Sequence, residues 1–314
     1  MTYLIPEALH TVMEPIPYPE AFDHPDYLYQ VKWDGVRIMA HVQGGNVQLI
    51  NKHMNERTEQ YLELQALPRL LNVNNAVLDG EVVVIKESKA SFPDVMRRDR
   101  CSDYKNIKYL QQKFPVDYMV FDLLWLNGKN LMHEPLSIRK SYLQEVLHEK
   151  DFIHLLEDFY EGKTLFEAVK SMHMEGVVAK KKDGLYIEGK KHQDWLKIKC
   201  RQLQNCLLGG YTLRGKIVNS LLLGVYDEND FLYVGKAASG LTTSQQEVLA
   251  QELPKLQINY SPFGNLPGKR GNFHFLKPEL GVKVEFQEWT EDLKLRTPVI
   301  KAFADIEAGE CRII

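Results

Sequence analysis

Lys32 heads the run Lys32-Trp33-Asp34-Gly35-Val36-Arg37, a K-x-D-G-x-R pattern in a chain of 314 residues. A free lysine has a pKa of about 10.4 and is a poor nucleophile at neutral pH. Cationic neighbours and partial burial lower that value and turn the amine into a group that can form a covalent bond. Six residues are a short pattern, and a strand-end lysine before a glycine turn explains such a match equally well. The order of the downstream motifs adds weight to the chemical reading. Asp79-Gly80-Glu81, Phe121-Asp122, Glu175-Gly176-Val177-Val178-Ala179-Lys180 and Lys197-Ile198-Lys199 come in turn along the chain.

The elements that must position these residues are strands. Leu28–Trp33 and Val36–Val42 alternate as strands do, Gly44-Gly45-Asn46 is a tight turn, and Val47–Ile50 returns. Val77–Ile85, Tyr118–Trp125, Gly176–Lys180 and Trp195–Lys199 also read as strands. Helical spacing of apolar residues predicts helices over 55–71, broken near Pro68, and over 136–148 and 164–173. From about 204 short strands dominate (Leu207–Thr212, Ser220–Tyr226, Phe231–Lys236, Val282–Trp289), with one helix around 243–256. That pattern fits a small β-barrel such as an OB-fold. The fold class is therefore α+β, with domains over 1–202 and 203–314.

In its five ordered motifs the sequence resembles the covalent nucleotidyltransferase superfamily. Val31–Gly35, Arg139, Glu175–Lys180, Asp194–Arg201, Gly209-Gly210-Tyr211, Leu223–Tyr226, Tyr233–Lys236, Ser261-Pro262-Phe263 and Glu288-Trp289-Thr290 are more specifically similar to the ligase domain of bacterial end-joining ligase D proteins. The resemblance covers nearly the whole chain. It implies an ATP-grasp-like nucleotidyltransferase domain of two antiparallel sheets flanked by helices, followed by an OB-fold that closes on ATP and then grips DNA. The chain has no room for the polymerase or phosphoesterase domains of many ligase D proteins, nor for the N-terminal DNA-binding domain of large ligases.

The activity implied is an ATP-dependent DNA ligase that seals nicks in DNA repair or recombination. Lys32 would take AMP from ATP, with Arg37, Lys197 and Lys199 supplying the positive field and holding the phosphates. Asp34, Glu81 and Glu175 are the carboxylates expected at a magnesium or manganese ion. Glu81 is alternatively placed on the ribose, and Phe121 is expected to stack on adenine. Lys52 would contact nucleotide or DNA phosphate, and Lys190 and Lys191 the DNA backbone. Lys180-Lys181-Lys182 is a charge run that either touches phosphate or is a solvated face. Nicked duplex DNA is the expected partner, a Ku-like end-joining protein a further one, and the chain is expected to be a cytoplasmic monomer.

Two stretches depart from the family pattern. Where relatives carry Ser-Arg-Asn-Gly, this chain has Asn51-Lys52-His53-Met54, which offers a point charge in place of a bidentate fork. Where the barrel should end in R-x-D-K, which orients the leaving pyrophosphate, the residues are Ala304-Asp305-Ile306-Glu307; only Arg296 and Lys301 upstream match.

Bulk properties bound the reading. Net charge is −3, so any DNA must be held by a local basic surface. No run of about 18 apolar residues suggests a membrane span. Met1–Glu7 lacks the basic start and apolar core of a signal peptide. The four cysteines show no metal spacing and are expected to be reduced thiols; Cys200 reads as a small apolar filler. Two other activities share the lysine motif, RNA ligation and mRNA-capping guanylyl transfer. A degenerate ligase acting as a DNA-binding module is the reading from another class.

Overall fold

The computed structural model describes residues 11–266, 272–290 and 292–313, so the reading of Met1–Glu7 lies outside the described residues. The chain divides into two compact units, Met1–Cys200 and Arg201–Ile314. The first contains β1 (Glu14–Pro17), β2 (Tyr27–Lys32), β3 (Val36–Gln43), β4 (Asn46–Asn51), β5 (Asn75–Val83), a short hairpin of β6 (Ile85–Lys86) and β7 (Lys89–Ala90), β8 (Asp117–Leu126), β9 (Lys129–Asn130), β10 (Ile153–Leu155), β11 (Gly176–Lys181) and β12 (Lys191–Lys199). Its helices are α1 (Phe92–Asp99), α2 (Tyr104–Lys113), α3 (Leu136–Val146) and α4 (Gly162–Ser171).

These strands form two sheets, β1-β12-β11-β2 and β10-β8-β5-β3-β4, with β9 added to β8. Both are antiparallel at their centres and carry one parallel edge strand, β1 on β12 and β10 on β8. The parallel pairing of β10 follows from its connection: α3 carries the chain back so that β10 starts at the same end as β8.

Alternation assigns the faces. Tyr29, Val177, Ala179, Leu196 and Ile198 of the first sheet pack with Leu165 and Val169 of α4. Ile38, Ala40, Leu78, Val82 and Val120 of the second pack with residues of α1, α2 and α3. The opposite faces share a smaller apolar layer that includes Met39, Val77, Phe121, Leu124, Tyr186 and Trp195. The polar residues singled out in the sequence lie on those inner faces.

The expected helix over 55–71 is corrected to a 3-10 turn, Leu62–Arg69, with Pro68 inside it. Pro68 has no N–H to extend a helical ladder. Upstream, Arg57 N bonds to the Leu49 carbonyl at 2.7 Å and Asn51 N to Asn55 O at 3.0 Å, so this stretch folds back on β4 instead. The expected strand Val77–Ile85 stops at Val83 and turns into the β6–β7 hairpin. Helices α1 and α2 were not anticipated: α1 is short, and α2 buries only Ile107 fully.

The second unit is an OB-fold. Its strands are β13 (Gln202–Arg214), β14 (Ile217–Asp227), β15 (Asp230–Ala237), β16 (Gln257–Ile258), β17 (His274–Leu276), β18 (Gly281–Phe286) and β19 (Val299–Ala304), and α5 (Thr243–Glu252) continues into a 3-10 turn, Leu253–Leu256. β13 shares one edge between β18, along Gln202–Leu207, and β17, at Gly210 and Tyr211. A bridge between Ser239 and Val299, with Ile300 N donating to Ser239 O at 3.0 Å, joins the end of β15 to β19 and closes the ring. Strand β19 was missed because Val299–Ala304 alternates poorly, with Lys301, Ala302 and Phe303 all exposed.

Beneath the inner faces, Arg139 donates from Nε and Nη2 to the two oxygens of Asp122 at 2.8 Å each, and to the carbonyls of Glu134 and Gly184; neither side chain of the pair is exposed. Removing one member of a fully buried pair strands the other and costs about 3–5 kcal/mol. Arg139→Met should therefore lower the urea midpoint of unfolding by that equivalent, and adding Asp122→Asn should recover part of the loss. Equal stability of Arg139→Met and the natural chain would contradict the assignment.

Candidate active site

Three strand ends bring the first group of residues together. The register sets Lys32 opposite Gly176, and Gly176 opposite Lys199. Glu175, just before β11, thereby lies between two lysines from different strands. Its Oε2 accepts from Lys32 Nζ at 2.5 Å and its Oε1 from Lys199 Nζ at 2.7 Å. Gly176 has φ 150°, and a Cβ there would sit 2.2 Å from the Ile198 carbonyl oxygen, so only glycine lets β12 run this close. Lys197, two residues back along β12, faces the same side.

The charges follow from this placement. Burial raises the Glu175 carboxyl, but the Lys32 and Lys199 ammoniums outweigh it and hold the group below the usual carboxylate range. Lys197 is lowered by burial first, then by Lys199 and Lys32. Together these residues make a cationic shelf with one shared carboxylate.

The second sheet faces it with Arg37, Asp79 and Glu81. Gly35 makes the turn from β2 into β3, where a Cβ would meet the Val82 carbonyl at 2.2 Å. Arg37 pairs across β3–β5 with Glu81, yet its guanidinium forks onto Asp79 at 2.9 and 2.6 Å, and Tyr186 Oη donates to the same carboxylate at 2.8 Å. Burial opposes the charged form of Arg37, but Asp79 more than restores it and its pKa is raised. The expectation that Arg37 presents a free positive charge to phosphate is therefore modified: it is neutralised by Asp79. Glu81 is pushed up to about 7, by burial first; Lys32 and Arg37 act against the rise, while Glu175 and Asp34 add to it. Those influences place Glu81, Asp34, Glu175 and Lys32 in one electrostatic neighbourhood.

Deeper in, Phe121 and Trp195 meet edge to face with centroids 6.1 Å apart. Lys180 Nζ sits 3.9 Å from the Phe121 centroid and 4.2 Å from that of Trp195, and Arg37 lies 5.1 Å from Phe121. Phe121 thus has a cation against its ring where adenine stacking was expected. Lys180 is buried, its Nζ has no hydrogen-bond partner, and burial pushes its pKa down to about 7. It therefore separates from Lys181 and Lys182, which lie outside the buried layer.

The remaining sequence candidates lie at the rim. Asp34 is half-buried in the turn after β2. Lys52 is exposed at the end of β4, whose Asn51 pairs with Ile38, one residue from Arg37. Lys190 and Lys191 are exposed at the start of β12, away from Lys199. Sequence reasoning missed Asp79 and Tyr186, which hold Arg37, and Gln30. Asp79 was visible as the first residue of Asp-Gly-Glu, and Gln30 as the residue sharing Lys32's face; nothing local marks Tyr186.

A strand-end lysine on one sheet, facing a buried Arg-Asp-Glu set on another and followed by an OB-fold, defines a covalent nucleotidyltransferase. Residues 12–199 match the ATP dependent DNA ligase domain and residues 214–305 the ATP dependent DNA ligase C terminal region. The chain belongs to the ATP-dependent DNA ligases. It is 30% identical over 280 residues to the multifunctional non-homologous end joining protein LigD of Mycolicibacterium smegmatis, a match covering 87% of this chain and 35% of that protein. It is 26% identical over 284 residues to a DNA ligase of Thermococcus onnurineus, covering 86% of this chain and 49% of that one. The chain thus spans about a third to a half of the length of these curated relatives. Among solved structures it resembles a mycobacterial DNA ligase D complexed with ATP and MES (26% identity, TM-score 0.57, covering 98% of this chain and 99% of that one). It also resembles the ligase domain of M. tuberculosis LigD (25% identity, TM-score 0.57, covering 99% and 100%).

Lys180 carries a stability prediction. Its folded pKa of about 7 lies below the 10.5 of the unfolded chain, so the unfolded chain holds the extra proton between those values and stability rises as pH rises through that window. Below it the full cost of a buried ammonium remains, offset in part by the two aromatic rings and opposed or relieved by Asp122, Lys140, Arg37 and Asp79 around it. Lys180→Met should stabilise the unit by about 2–4 kcal/mol at pH 6, an advantage that shrinks towards pH 10. Thermal melts at the two pH values check this, and a pH-independent difference would contradict it.

Proposed function

We propose that this chain seals nicks bearing 3′-hydroxyl and 5′-phosphate ends in duplex DNA through a Lys32–AMP intermediate. The observation that supports it is the shelf of Lys32, Lys197 and Lys199 around Glu175, which suits a phosphate anion beside an amine nucleophile. In the first step Lys32 Nζ, freed of its bond to Glu175 and of one proton, attacks the α-phosphorus of ATP. The N–P bond forms and pyrophosphate leaves with the electrons of the broken P–O bond. An oxygen of the DNA 5′-phosphate then attacks the same phosphorus and the P–N bond breaks. Finally the 3′-hydroxyl attacks the 5′-phosphorus and AMP departs.

Lys197 and Lys199 would neutralise charge developing on phosphate, and Phe121 would stack on the base once Lys180 yields its ring. Among the described residues no group of three or more His, Cys, Asp or Glu side chains is set as a ready metal cage. The donors available are carboxylates, Glu81 and Glu175 with Asp34 beside them, which suit a magnesium or manganese ion whose shell is completed by nucleotide phosphates. Such an ion supplies charge neutralisation on the phosphoryl group. Lys52, Lys190 and Lys191 are the candidates for DNA backbone contact. The names of the LigD relatives support an end-joining repair setting, with a Ku-like protein as the partner to test and a cytoplasmic monomer as the working form.

The C-terminal departure bears on the first step. Ile306 is packed among Leu207, Leu222, Phe231 and Phe263, and Glu307 caps the final turn with Glu310. The upstream cations are engaged as well, Arg296 with Glu288 at 2.5 Å and Lys301 with Glu285 at 3.3 Å. Charging by ATP should therefore limit turnover, since losing one placed donor typically costs about 10²–10³ in rate.

Incubation with α-labelled ATP and magnesium or manganese should give an acid-labile, base-stable adduct that Lys32→Ala abolishes; persistent labelling of that variant would refute the nucleophile. Glu175→Ala should slow sealing by at least about 10²-fold. In single-turnover assays, closure of a synthetic AMP-capped nick should outpace charging by ATP. The reverse order would mean that Arg296 or Lys301 replaces the missing motif.

A further inference from the structure

Gln30 stands two residues before Lys32 on β2, so both share the inner face. It is 1% exposed, and only half of its amide is satisfied. Nε2 donates to Asp158 Oδ1 at 2.7 Å, while Oε1 has no partner. Gln30 pairs with Val178, and Lys180, whose Nζ is likewise unpartnered, lies two residues further along β11. A buried acceptor and a buried donor thus lie diagonally across neighbouring strands, unbonded to each other. Each unsatisfied group costs about 1–3 kcal/mol, an arrangement that persists where a ligand supplies the missing bonds.

The partner on the other side of the amide is fixed. Asp158 also accepts from Lys140 Nζ at 2.8 Å, and Lys140 reaches the Leu156 carbonyl at 3.3 Å. The next residue, Phe159, exchanges two backbone hydrogen bonds of 2.8 Å with Tyr29. Asp158 is therefore clamped alongside β2. An ionised carboxylate only accepts, so it takes the NH₂ end of the Gln30 amide and never the oxygen. The orientation of the amide is dictated from behind, and the oxygen must face the pocket of Phe121, Trp195 and Lys180.

We propose that Asp158 is a positioning residue for base selection: by holding the Gln30 nitrogen it presents Oε1 to an amino-bearing purine edge, with Lys180 donating to the ring nitrogen beside it. This rests on the nucleotide reading above. An adenine edge, amine donor next to ring acceptor, satisfies both atoms. A 6-oxopurine presents a carbonyl to the Gln30 carbonyl and an N–H to the Lys180 donor, leaving both unpaired. Sites built to bond a polar group discriminate strongly against analogues that leave them unpaired.

The test measures binding of ATP and ITP by calorimetry to the natural chain, Asp158→Asn and Gln30→Met, with labelling of Lys32 followed separately. The natural chain should prefer ATP by about 10²-fold or more. In Asp158→Asn the partner can donate as well as accept, so the amide is free to turn. The preference should fall at least tenfold through weaker ATP binding, with the rate of Lys32 charging at saturating ATP changed far less. Gln30→Met, which leaves the Asp158–Lys140 pair intact, should lose the preference too, and Asp158→Asn should add nothing to it. Thermal melts verify that each variant is folded. An unchanged ATP/ITP ratio in Asp158→Asn or in Gln30→Met overturns the proposal, as does a natural chain that binds both nucleotides equally or neither. Selective ATP binding without any Lys32 adduct would sink the ligase mechanism and leave base selection standing.

Discussion

The site depends on one carboxylate shared by two ammoniums. Glu175 is almost wholly removed from water, and a buried charge of that kind persists only if it is paired and hydrogen-bonded. Lys32 and Lys199 come from different strands and take one oxygen each. Their meeting point is set by backbone register, since a slip of one residue would turn one of the lysines to the α4 side of the sheet. Gly176 permits the approach that this register requires. The nucleophile is consequently held by sheet geometry rather than by a loop, and the same pairing keeps two like charges close together before any phosphate arrives.

The inner face of the second sheet solves a different problem. Arg37 is buried with aromatic rings on one side and Asp79 on the other, so it acts less as a phosphate clamp than as a strut that spaces the two sheets. Tyr186 reinforces it from the segment between β11 and β12. Glu81 lies next to this strut and feels both it and Lys32, which explains why one strand-end carboxylate is pushed up while its neighbour Glu175 is held low.

Much of this was legible in the chain because strand alternation and motif order are local properties. Lys32, Glu81, Glu175, Lys197 and Lys199 were each named from short patterns, and they converge on facing sheets. The pairing partners were less visible. Asp158 and Tyr186 belong to no motif, and their roles arise only when distant segments meet. The 3-10 turn at Leu62–Arg69 shows the limit of periodicity: Tyr61, Leu64 and Leu67 have helical spacing and are all buried, but Pro68 and the return of residues 51–57 onto β4 rule out a longer helix. Helices α1 and α2 escaped for the opposite reason, being short and mostly polar. At the C-terminus the sequence marked missing cations, and the packing adds a reason the positions cannot easily regain them, because Ile306 fills the apolar interior of the second unit.

Lys180 on the Phe121 ring makes the pocket its own competitor. An ammonium at van der Waals range of an aromatic face occupies the surface that a purine needs, and it is tethered there at high local concentration. Every ligand must evict it and give it a new hydrogen-bond acceptor, or leave a charge stranded in apolar surroundings. Flat hydrophobic molecules that would otherwise slide between the sheets are thereby rejected, whereas heteroaromatic inhibitors carrying a ring nitrogen at the right edge would be admitted. Residence time in this pocket would then be governed by how fast one side chain swings back.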